Sequence, residues 1–206
     1  MPALLDVKDL ACERGGVRLF AGLRFSAGAG ALLRLRGPNG SGKTSLLRIL
    51  AGLTQPAGGS VHWRGRERDD DYRKEMLFVG HAPGLSDELT VLENLDFALE
   101  FSGARASREK TKESLERFAL QRVAHMPARF LSQGQRRRAA LARLAVSGGV
   151  PLWLLDEPFA ALDAEAVEQL SRLAAAHLAQ GGLVVLTSHQ EIPIAAPATE
   201  TVVLQG

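Results

Sequence analysis

The sequence is poor in several features that would each assign it to a particular class of protein. It has one cysteine, Cys12, in 206 residues, which excludes an internal disulfide framework. Apolar runs such as 150–155 and 183–186 are far shorter than the roughly 20 residues of a membrane-spanning helix. The net charge is only +2, so the strongly basic footprint of a nucleic-acid-binding protein is missing. We therefore expect a protein of the reducing cytosol without a secretory signal, whose action at any membrane requires spans from a partner subunit.

The order of the apolar segments predicts an α/β fold. Residues 32–36, 76–79, 152–155 and 183–187 have the length and composition of buried strands, and longer helix-like segments separate them. Strands that alternate with helices favour a largely parallel sheet. A chain of this length has room for one domain, or for one domain with a small subdomain.

Three polar stretches carry local expectations. Residues 86–120 show an amphipathic helical pattern, with Thr90 as the N-cap and Glu93 as its capping-box partner. The charged stretch 64–74 is expected to be a solvated loop. The run of three arginines at 136–138 is expected to be the solvated start of a helix.

A complete phosphate-binding motif lies at 37–44. The segment reads GPNGSGKT, follows a predicted strand and opens a predicted helix, which is the context that a P-loop requires. Its glycines let backbone N–H groups turn toward phosphate oxygens. In this motif Lys43 reaches the β- and γ-phosphates, and Thr44 offers its hydroxyl to Mg²⁺. A glycine-rich turn without a ligand is the alternative.

The second half of a nucleotide site follows a later strand. Four apolar residues at 152–155 are followed by Asp156 and Glu157, at the edge of the sheet where α/β proteins bind ligands. Asp156 is the candidate Mg²⁺ ligand, and Glu157 is the candidate general base for water. A strand that ends in two surface acids is the alternative, although the complete P-loop argues against it.

Five ordered motifs together resemble the ATP-binding-cassette (ABC) ATPases. Besides the P-loop and the two acids, residues 131–135 read LSQGQ, residues 161–163 read ALD, and His189 follows a predicted strand. They are similar to the family's signature, D-loop and switch histidine. The resemblance implies a P-loop NTPase fold with a mainly parallel sheet core, an N-terminal antiparallel β part and a small helical subdomain. The implied division of the single cassette is a core of 1–82 and 131–206 and a helical subdomain of 83–130.

The resemblance also implies roles for individual residues. Lys43, Glu157 and His189 would be catalytic, with ATP and Mg²⁺ as cofactors. In the family, the signature contacts the ATP held by a second cassette, so a homodimer or a paired cassette is implied, with Asp163 coupling the two sites. The nucleotide-binding set by this resemblance is Gly37, Pro38, Asn39, Gly40, Ser41, Gly42, Lys43, Thr44, Ser45, Ser132, Gly134, Gln135 and Asp163.

The sequence departs from the family at two positions. No glutamine stands between 55 and 121, so the family's Q-loop residue is missing, and His81 is in register with it as a nucleotide and Mg²⁺ contact. An imidazole nitrogen could ligate or hydrogen-bond there, although a surface loop histidine is the alternative. At the adenine-stacking position, where the family has an aromatic side chain, Arg14 is in register and Phe20 is a second candidate. An arginine can stack on a base, but an ordinary turn residue is the alternative for Arg14.

Short phrases narrow the resemblance further. Segments 12–14, 79–84, 88–95, 133–138 and 187–190 are similar to the ATP-binding subunit of the haem exporter of bacterial cytochrome c maturation. That resemblance implies a peripheral protein at the cytoplasmic face of the bacterial inner membrane, paired with integral membrane transporter subunits. The chain has no C-x-x-C-H motif, so haem would be handled by partners and not bound covalently here.

Other functions remain open at this level. An ABC ATPase of another exporter, for lipid, lipoprotein or drug, would have the same catalytic residues, because the membrane subunits select the cargo. A soluble ABC ATPase of translation or DNA repair is a further alternative, but the chain has one cassette and no long heptad run. No nucleic-acid partner is expected. The acidic residues at 86–88 are a candidate contact for a basic segment of the membrane partner.

Overall fold

The N-terminal part of the protein forms an antiparallel sheet. The computed structural model describes residues 3–101, 108–147 and 149–205. Its first sheet has the order β2-β1-β4-β5, and neighbouring strands are antiparallel. The strands are β1 (Leu5–Arg14), β2 (Val17–Ala27), β4 (Gly58–Trp63) and β5 (Arg66–Glu67).

A five-stranded parallel sheet forms the centre of the molecule. Its order is β6-β7-β8-β3-β9, and all of its strand pairs are parallel. The strands are β3 (Ala31–Arg36), β6 (Met76–Val79), β7 (Leu152–Leu155), β8 (Leu183–Thr187) and β9 (Ala198–Val203). Because the strands run in one direction, the loops that follow β3, β7 and β8 emerge at the same edge. The expected parallel core and antiparallel N-terminal part are confirmed.

Helices cover the parallel sheet on both faces. Short 3₁₀ turns at Gln121–Val123 and Ala128–Phe130 accompany them. No helix among the described residues is long and apolar enough to cross a bilayer. The helices are α1 (Lys43–Leu50), α2 (Asp70–Lys74), α3 (Val91–Phe101), α4 (Arg108–Arg117), α5 (Gln133–Val146) and α6 (Ala164–Ala179).

The alternation of side chains along β7 divides the core into two clusters. Trp153 and Leu155 belong to a cluster that includes residues of α3 to α6. Leu152 and Leu154 belong to the other cluster, which includes α1 and the antiparallel sheet. Successive side chains of a strand point to opposite faces, so four consecutive buried apolar residues require cover on both sides. The strand at the base of the candidate site is therefore fixed in register by both layers.

The helical stretch expected at 86–120 contains two helices. α3 begins after Thr90, whose hydroxyl accepts a hydrogen bond from the Glu93 backbone N–H at 3.2 Å. The Thr90 backbone N–H donates to the Glu93 carboxylate at 2.7 Å, so the predicted capping box is confirmed. α4 follows at Arg108–Arg117 and packs against α5.

The prediction of a plain loop at 64–74 is wrong, because this stretch contains β5 and α2. Asp69 caps α2 by accepting a hydrogen bond from the Tyr72 backbone N–H at 2.9 Å. Tyr72 is buried, and its hydroxyl donates to the Leu50 carbonyl at 2.6 Å. Burial raises the pKa of Tyr72 far above its usual range. A tertiary anchor therefore fixes a helix of only five residues, which is too short to show a helical period in the sequence.

Candidate functional site

The loop between β3 and α1 requires glycine at two positions. Gly37 has φ 149°, and a Cβ there would lie 2.5 Å from the Leu204 carbonyl oxygen. Gly42 has φ 93° and caps α1, and a Cβ there would lie 3.0 Å from the Phe20 ring. Both positions lie in the left-handed region that favours glycine. The glycines of the motif therefore allow the backbone to curl tightly beneath the place where phosphates would lie.

The lysine at the end of this loop folds back over the loop backbone. Lys43 Nζ donates to the Gly37 carbonyl at 2.8 Å and to the Pro38 carbonyl at 2.9 Å. Among the described residues, the buried Ser41 hydroxyl oxygen has no hydrogen-bond partner. The N-terminus of α1 adds the partial positive charge of its free N–H groups. The loop therefore brings together a lysine, an unpartnered hydroxyl and a helix N-terminus, which are groups that suit an anion.

Asp156, which follows β7, is hydrogen-bonded to the start of α1 and to the end of β8. Thr44 Oγ1 donates to Asp156 Oδ2 at 2.9 Å, across 112 positions of sequence. Thr187, the last residue of β8, donates from its hydroxyl to Asp156 Oδ1 at 2.8 Å. Asp156 is buried, so these two hydroxyls hold both oxygens of its carboxylate in fixed positions.

Glu157 lies beside Asp156 in a strained backbone conformation. Its φ is 49°, which is uncommon for a residue with a side chain. Its backbone N–H donates to Thr187 Oγ1 at 2.8 Å. Its carboxylate accepts the His189 backbone N–H at 3.3 Å and lies 3.5 Å from His189 Nε2. The Glu157 side chain is 19% exposed, so its carboxylate can still be reached by a water molecule.

The LSQGQ segment begins α5 with a reciprocal cap. The Ser132 hydroxyl accepts the Gln135 backbone N–H at 3.3 Å, and the Ser132 backbone N–H donates to Gln135 Oε1 at 2.9 Å. A Cβ on Gly134 would lie 3.3 Å from the Ala161 carbonyl, so the segment packs closely on the loop before α6. Asp163 caps α6 by accepting the Ala166 backbone N–H at 2.9 Å.

The two residues that depart from the family pattern lie at the surface. His81 is exposed in the loop that follows β6, and its side chain makes no hydrogen bond among the described residues. Arg14 is exposed at the end of β1. Phe20 is buried against Gly42 and therefore supports the loop from below without presenting a ring face.

Ser45 of the predicted nucleotide-binding set hydrogen-bonds the buried Cys12 thiol. Burial raises the pKa of Cys12, and this hydrogen bond partly opposes the rise.

Two residues of the site are not identified as functional by their sequence pattern. Thr187 was predicted only as the end of a strand, but its hydroxyl contacts both acids. Its polarity at the carboxyl end of a parallel strand is the signal that could have identified it. Arg137 was expected to be solvated with its neighbours, and that prediction is wrong because it is buried. Its guanidinium donates to the main-chain carbonyls of Gly80, Asp156 and Glu157.

The comparison with known families covers the phosphate loop, the signature and the two acids, but not Asp163, Thr187 or His189. A family model described as ABC transporter matches residues 20–160, which is more than half of the chain. The chain belongs to the ABC transporter family. The predicted resemblance to the ABC ATPases is thereby confirmed. Membership makes ATP the nucleotide and ATP hydrolysis the reaction of this ABC protein.

Curated relatives match this ABC protein over almost its full length. A protein of Aromatoleum aromaticum named "Cytochrome c biogenesis ATP-binding export protein CcmA" is 48% identical over 199 residues, covering 95% of this chain and 93% of its own. A protein of the same name from Nitrosospira multiformis is 46% identical over 203 residues, covering 97% of this chain and 98% of its own.

Solved ABC structures have the same fold. One, titled as the ATP-binding subunit of an ABC transporter, is 26% identical, with a TM-score of 0.82 over 90% of this chain and 79% of its own. Another, titled as a dimeric ABC transporter cassette, is 28% identical, with a TM-score of 0.80 over 90% of this chain and 88% of its own. The ABC ATPase fold is therefore shown at the level of the whole chain.

Proposed function

We propose that this chain is the ATP-hydrolysing subunit of an exporter that handles haem for c-type cytochrome biogenesis. The observation that carries the proposal is the meeting of Thr44, Asp156, Glu157 and His189 beside the phosphate loop. These residues come from three separate loops and lie within hydrogen-bond reach of one another or of Thr187. The names of the curated relatives supply the biological process.

The loop and its surroundings fit a nucleotide with Mg²⁺. The buried, unpartnered Ser41 hydroxyl and the inward Lys43 ammonium suit phosphate oxygens. Thr44 Oγ1 and Asp156 Oδ2, 2.9 Å apart, are the oxygen ligands that Mg²⁺ prefers. When bound, Mg²⁺ would neutralise charge on the phosphates. His81 is the further residue that we assign to the nucleotide and Mg²⁺ from the loop after β6, and Arg14 is the one that we assign to the adenine.

Glu157 is the general base in this proposal. Its carboxylate accepts a proton from the attacking water, and the water oxygen forms a bond to the γ-phosphorus. The bond between that phosphorus and the β–γ bridging oxygen breaks, which releases ADP and phosphate. The His189 backbone N–H holds Glu157 Oε2, and the His189 ring, 3.5 Å from Oε1, lies where it can orient the same water. Asp156 is less suited to act as the base, because it is buried and both of its oxygens accept hydrogen bonds from hydroxyls, whereas the Glu157 side chain is partly exposed.

The signature serves a second copy of the chain. In the reciprocal cap, the Ser132 hydroxyl accepts a hydrogen bond and keeps its own hydrogen free to donate. The cap, Gly134 and the N-terminus of the 14-residue α5 together offer hydrogen-bond donors to an anion. Ser132 and Gln135 hydrogen-bond each other and no part of the chain's own phosphate loop. These features support a head-to-tail dimer in which each signature reaches the γ-phosphate of the partner's ATP.

A groove beside β6 is the proposed contact for the membrane subunit. It has a volume of about 1120 Å³, and its lining combines the exposed Leu53 with the cationic Arg73, Lys74 and Arg143. The acids that were expected to meet a basic partner segment are used within the chain, since Asp87 contacts Arg136 at 2.7 Å and Glu88 pairs with Arg129. The cations Arg73 and Lys74 are used within the chain as well, since Arg73 contacts Asp70 at 3.7 Å and Lys74 contacts Asp71 at 2.7 Å. The largely apolar lining of the groove therefore favours an apolar partner segment. This contact would hold the chain at the cytoplasmic face of the bacterial inner membrane.

Restoration of c-type cytochromes tests the proposed cargo. A bacterium that lacks its own relative of this protein is expected to regain haem-stained c-type cytochromes when the wild-type chain is expressed, but not with Lys43→Ala. Purified wild-type protein should hydrolyse ATP in the same study. An active ATPase that restores no c-type cytochrome, although it co-purifies with the host's membrane subunits, would contradict the cargo and leave the ATPase assignment standing.

A further inference from the structure

A buried arginine connects the signature helix to the two acids of the site. Arg137 lies in the second turn of α5, and only 5% of its surface is exposed. Its Nη1 donates to the Gly80 carbonyl at 2.7 Å, and its Nη2 donates to the carbonyls of Asp156 and Glu157 at 2.7 and 2.6 Å. The three acceptors lie at the carboxyl ends of β6 and β7. One guanidinium thus holds both strand ends.

The chemistry of this position selects arginine. A buried cation is costly unless its donors are satisfied, and Arg137 takes part in no salt bridge among the described residues. Burial lowers the pKa of Arg137, while the nearby charges of Asp156 and Glu157 oppose the decrease. A planar guanidinium presents several N–H groups in a fixed fork, whereas a lysine ammonium does not. Three carbonyls at 2.6 to 2.7 Å accept from the two terminal nitrogens of that fork, whereas the buried Nε has no hydrogen-bond partner among the described residues.

The peptide of Glu157 is held from both sides. Its carbonyl accepts from Arg137, and its N–H donates to Thr187 Oγ1. Between these two contacts the backbone adopts φ 49°, a conformation that persists when surrounding contacts enforce it. The direction of the Glu157 side chain therefore depends on Arg137 and, through it, on the placement of α5.

We propose that Arg137 is a positioning residue that couples the orientation of the signature helix α5 to the placement of the Glu157 carboxylate in the same chain. When Ser132 and Gln135 engage the nucleotide of a second copy, α5 is held in one orientation. The three hydrogen bonds of Arg137 then hold Glu157 where it can accept the proton of the water. This inference rests on the proposed function of Glu157 as the general base. It adds Arg137 as the residue that controls where the Glu157 carboxylate lies.

The test compares substitutions of Arg137 with a matched surface arginine. Arg137→Met keeps the length and removes all donors, whereas Arg137→Gln keeps an amide that can donate to part of the carbonyl set. Arg172→Met is the control, because Arg172 is 67% exposed on α6 and, among the described residues, forms a salt bridge only with Glu168. ATP affinity, kcat and KM are measured for the full chain, together with its far-ultraviolet circular dichroism.

The expected result is a loss of kcat without an equal loss of ATP binding. Misplacement of a reacting group by about 1 Å costs up to about 100-fold, so we expect kcat to fall about 10- to 100-fold in Arg137→Met and less in Arg137→Gln. ATP affinity should change less than about threefold, because the described hydrogen bonds of Arg137 go to Gly80, Asp156 and Glu157 and not to the phosphate loop. Arg172→Met should match the wild type. Adding Arg137→Met to Glu157→Gln should lower kcat no further, since both changes act on the same step.

Other outcomes overturn the proposal in distinguishable ways. Folded Arg137→Met with wild-type kcat contradicts it, and so does a parallel loss of kcat and ATP affinity, which would indicate a purely structural role. If Arg137→Met does not fold, Arg137→Gln is compared with the wild type instead. A kcat of Arg137→Gln equal to that of the wild type would also contradict the proposal. If Glu157→Gln itself hydrolyses ATP normally, the proposed function of Glu157 fails first, whatever the Arg137 variants do.

Discussion

Thr187 provides a sharp test of how the acids are held. Its hydroxyl donates to Asp156 Oδ1 and accepts the Glu157 backbone N–H, both at 2.8 Å, and its side chain is completely buried. Thr187→Val keeps the shape and removes both hydrogen bonds. It leaves a buried carboxylate oxygen and a backbone N–H unpaired.

The expected cost follows from these two bonds. A hydrogen bond to a charged group contributes about 1.5–3 kcal/mol, and one to a neutral backbone group about 1 kcal/mol. The free energy of unfolding should therefore fall by about 2.5–4 kcal/mol. With a urea slope of about 2 kcal/mol per molar, the unfolding midpoint should fall by about 1–2 M. Because the Glu157 backbone loses its hydrogen bond to Thr187, kcat should also fall about 10-fold or more.

Urea unfolding followed by circular dichroism, and steady-state ATP hydrolysis, measure the two effects. Thr201→Val is the matched control, because Thr201 lies exposed on β9 and the chemical change is the same. The control should change the free energy of unfolding by less than about 0.5 kcal/mol. If Thr187→Val is as stable and as active as Thr201→Val, the two hydrogen bonds do not hold the site in the way described.

Three other predictions concern the signature, the loop after β6 and the core. Ser132→Arg should abolish turnover but keep ATP binding to the same chain, measured by equilibrium titration; normal turnover would contradict the two-copy site. His81→Ala should lower kcat about 10-fold with folding unchanged, whereas wild-type hydrolysis and transport would show that His81 is an ordinary surface residue. Burial lowers the pKa of His177, which stacks on Trp153 at 3.9 Å. The folded state therefore resists protonation of His177, and stability should fall as the pH decreases below about 6.5. His177→Phe should lose less stability over that range in urea unfolding, and an identical pH profile would refute the role of His177.

The motifs were predictable because each is local in sequence. A P-loop needs only a strand, a glycine-rich turn and a helix, and all three are visible in one short segment. The capping box of Thr90 and Glu93 is likewise a spacing rule that involves four residues. The parallel core followed from the apolar strands at 152–155 and 183–187, because a strand that is buried on both faces has no polar alternation.

The parts that were missed depend on contacts between distant segments. Arg137 stands among two other arginines, and no local pattern shows which of the three turns inward to the carbonyls of Gly80 and Glu157. Tyr72 lies in a charged stretch, and its burial depends on the Leu50 carbonyl supplied by α1. Such residues become visible only when the fold brings their partners together.

At the groove beside β6, contacts between distant residues decide which charges remain available to a partner. The acids near the start of α3 were visible in the sequence, but the arginines that neutralise them come from 129 and 136, about 40 to 50 positions later. Arg73 and Lys74 at the groove are likewise paired, with Asp70 and Asp71, so the apolar lining is what remains for a partner. Replacing the exposed Leu53 with aspartate should therefore weaken co-purification with the membrane subunit more than a charge reversal of Asp87.

The central claim is that Glu157 is the base in an ATP site that a second copy completes. Sedimentation of Glu157→Gln with and without ATP and Mg²⁺, together with its hydrolysis rate, tests this claim most directly. We expect Glu157→Gln to form a dimer that retains two ATP molecules. The dimer should form only when nucleotide is present, and hydrolysis should be nearly abolished. A Glu157→Gln protein that stays monomeric with ATP bound, or that hydrolyses ATP at the wild-type rate, would contradict it.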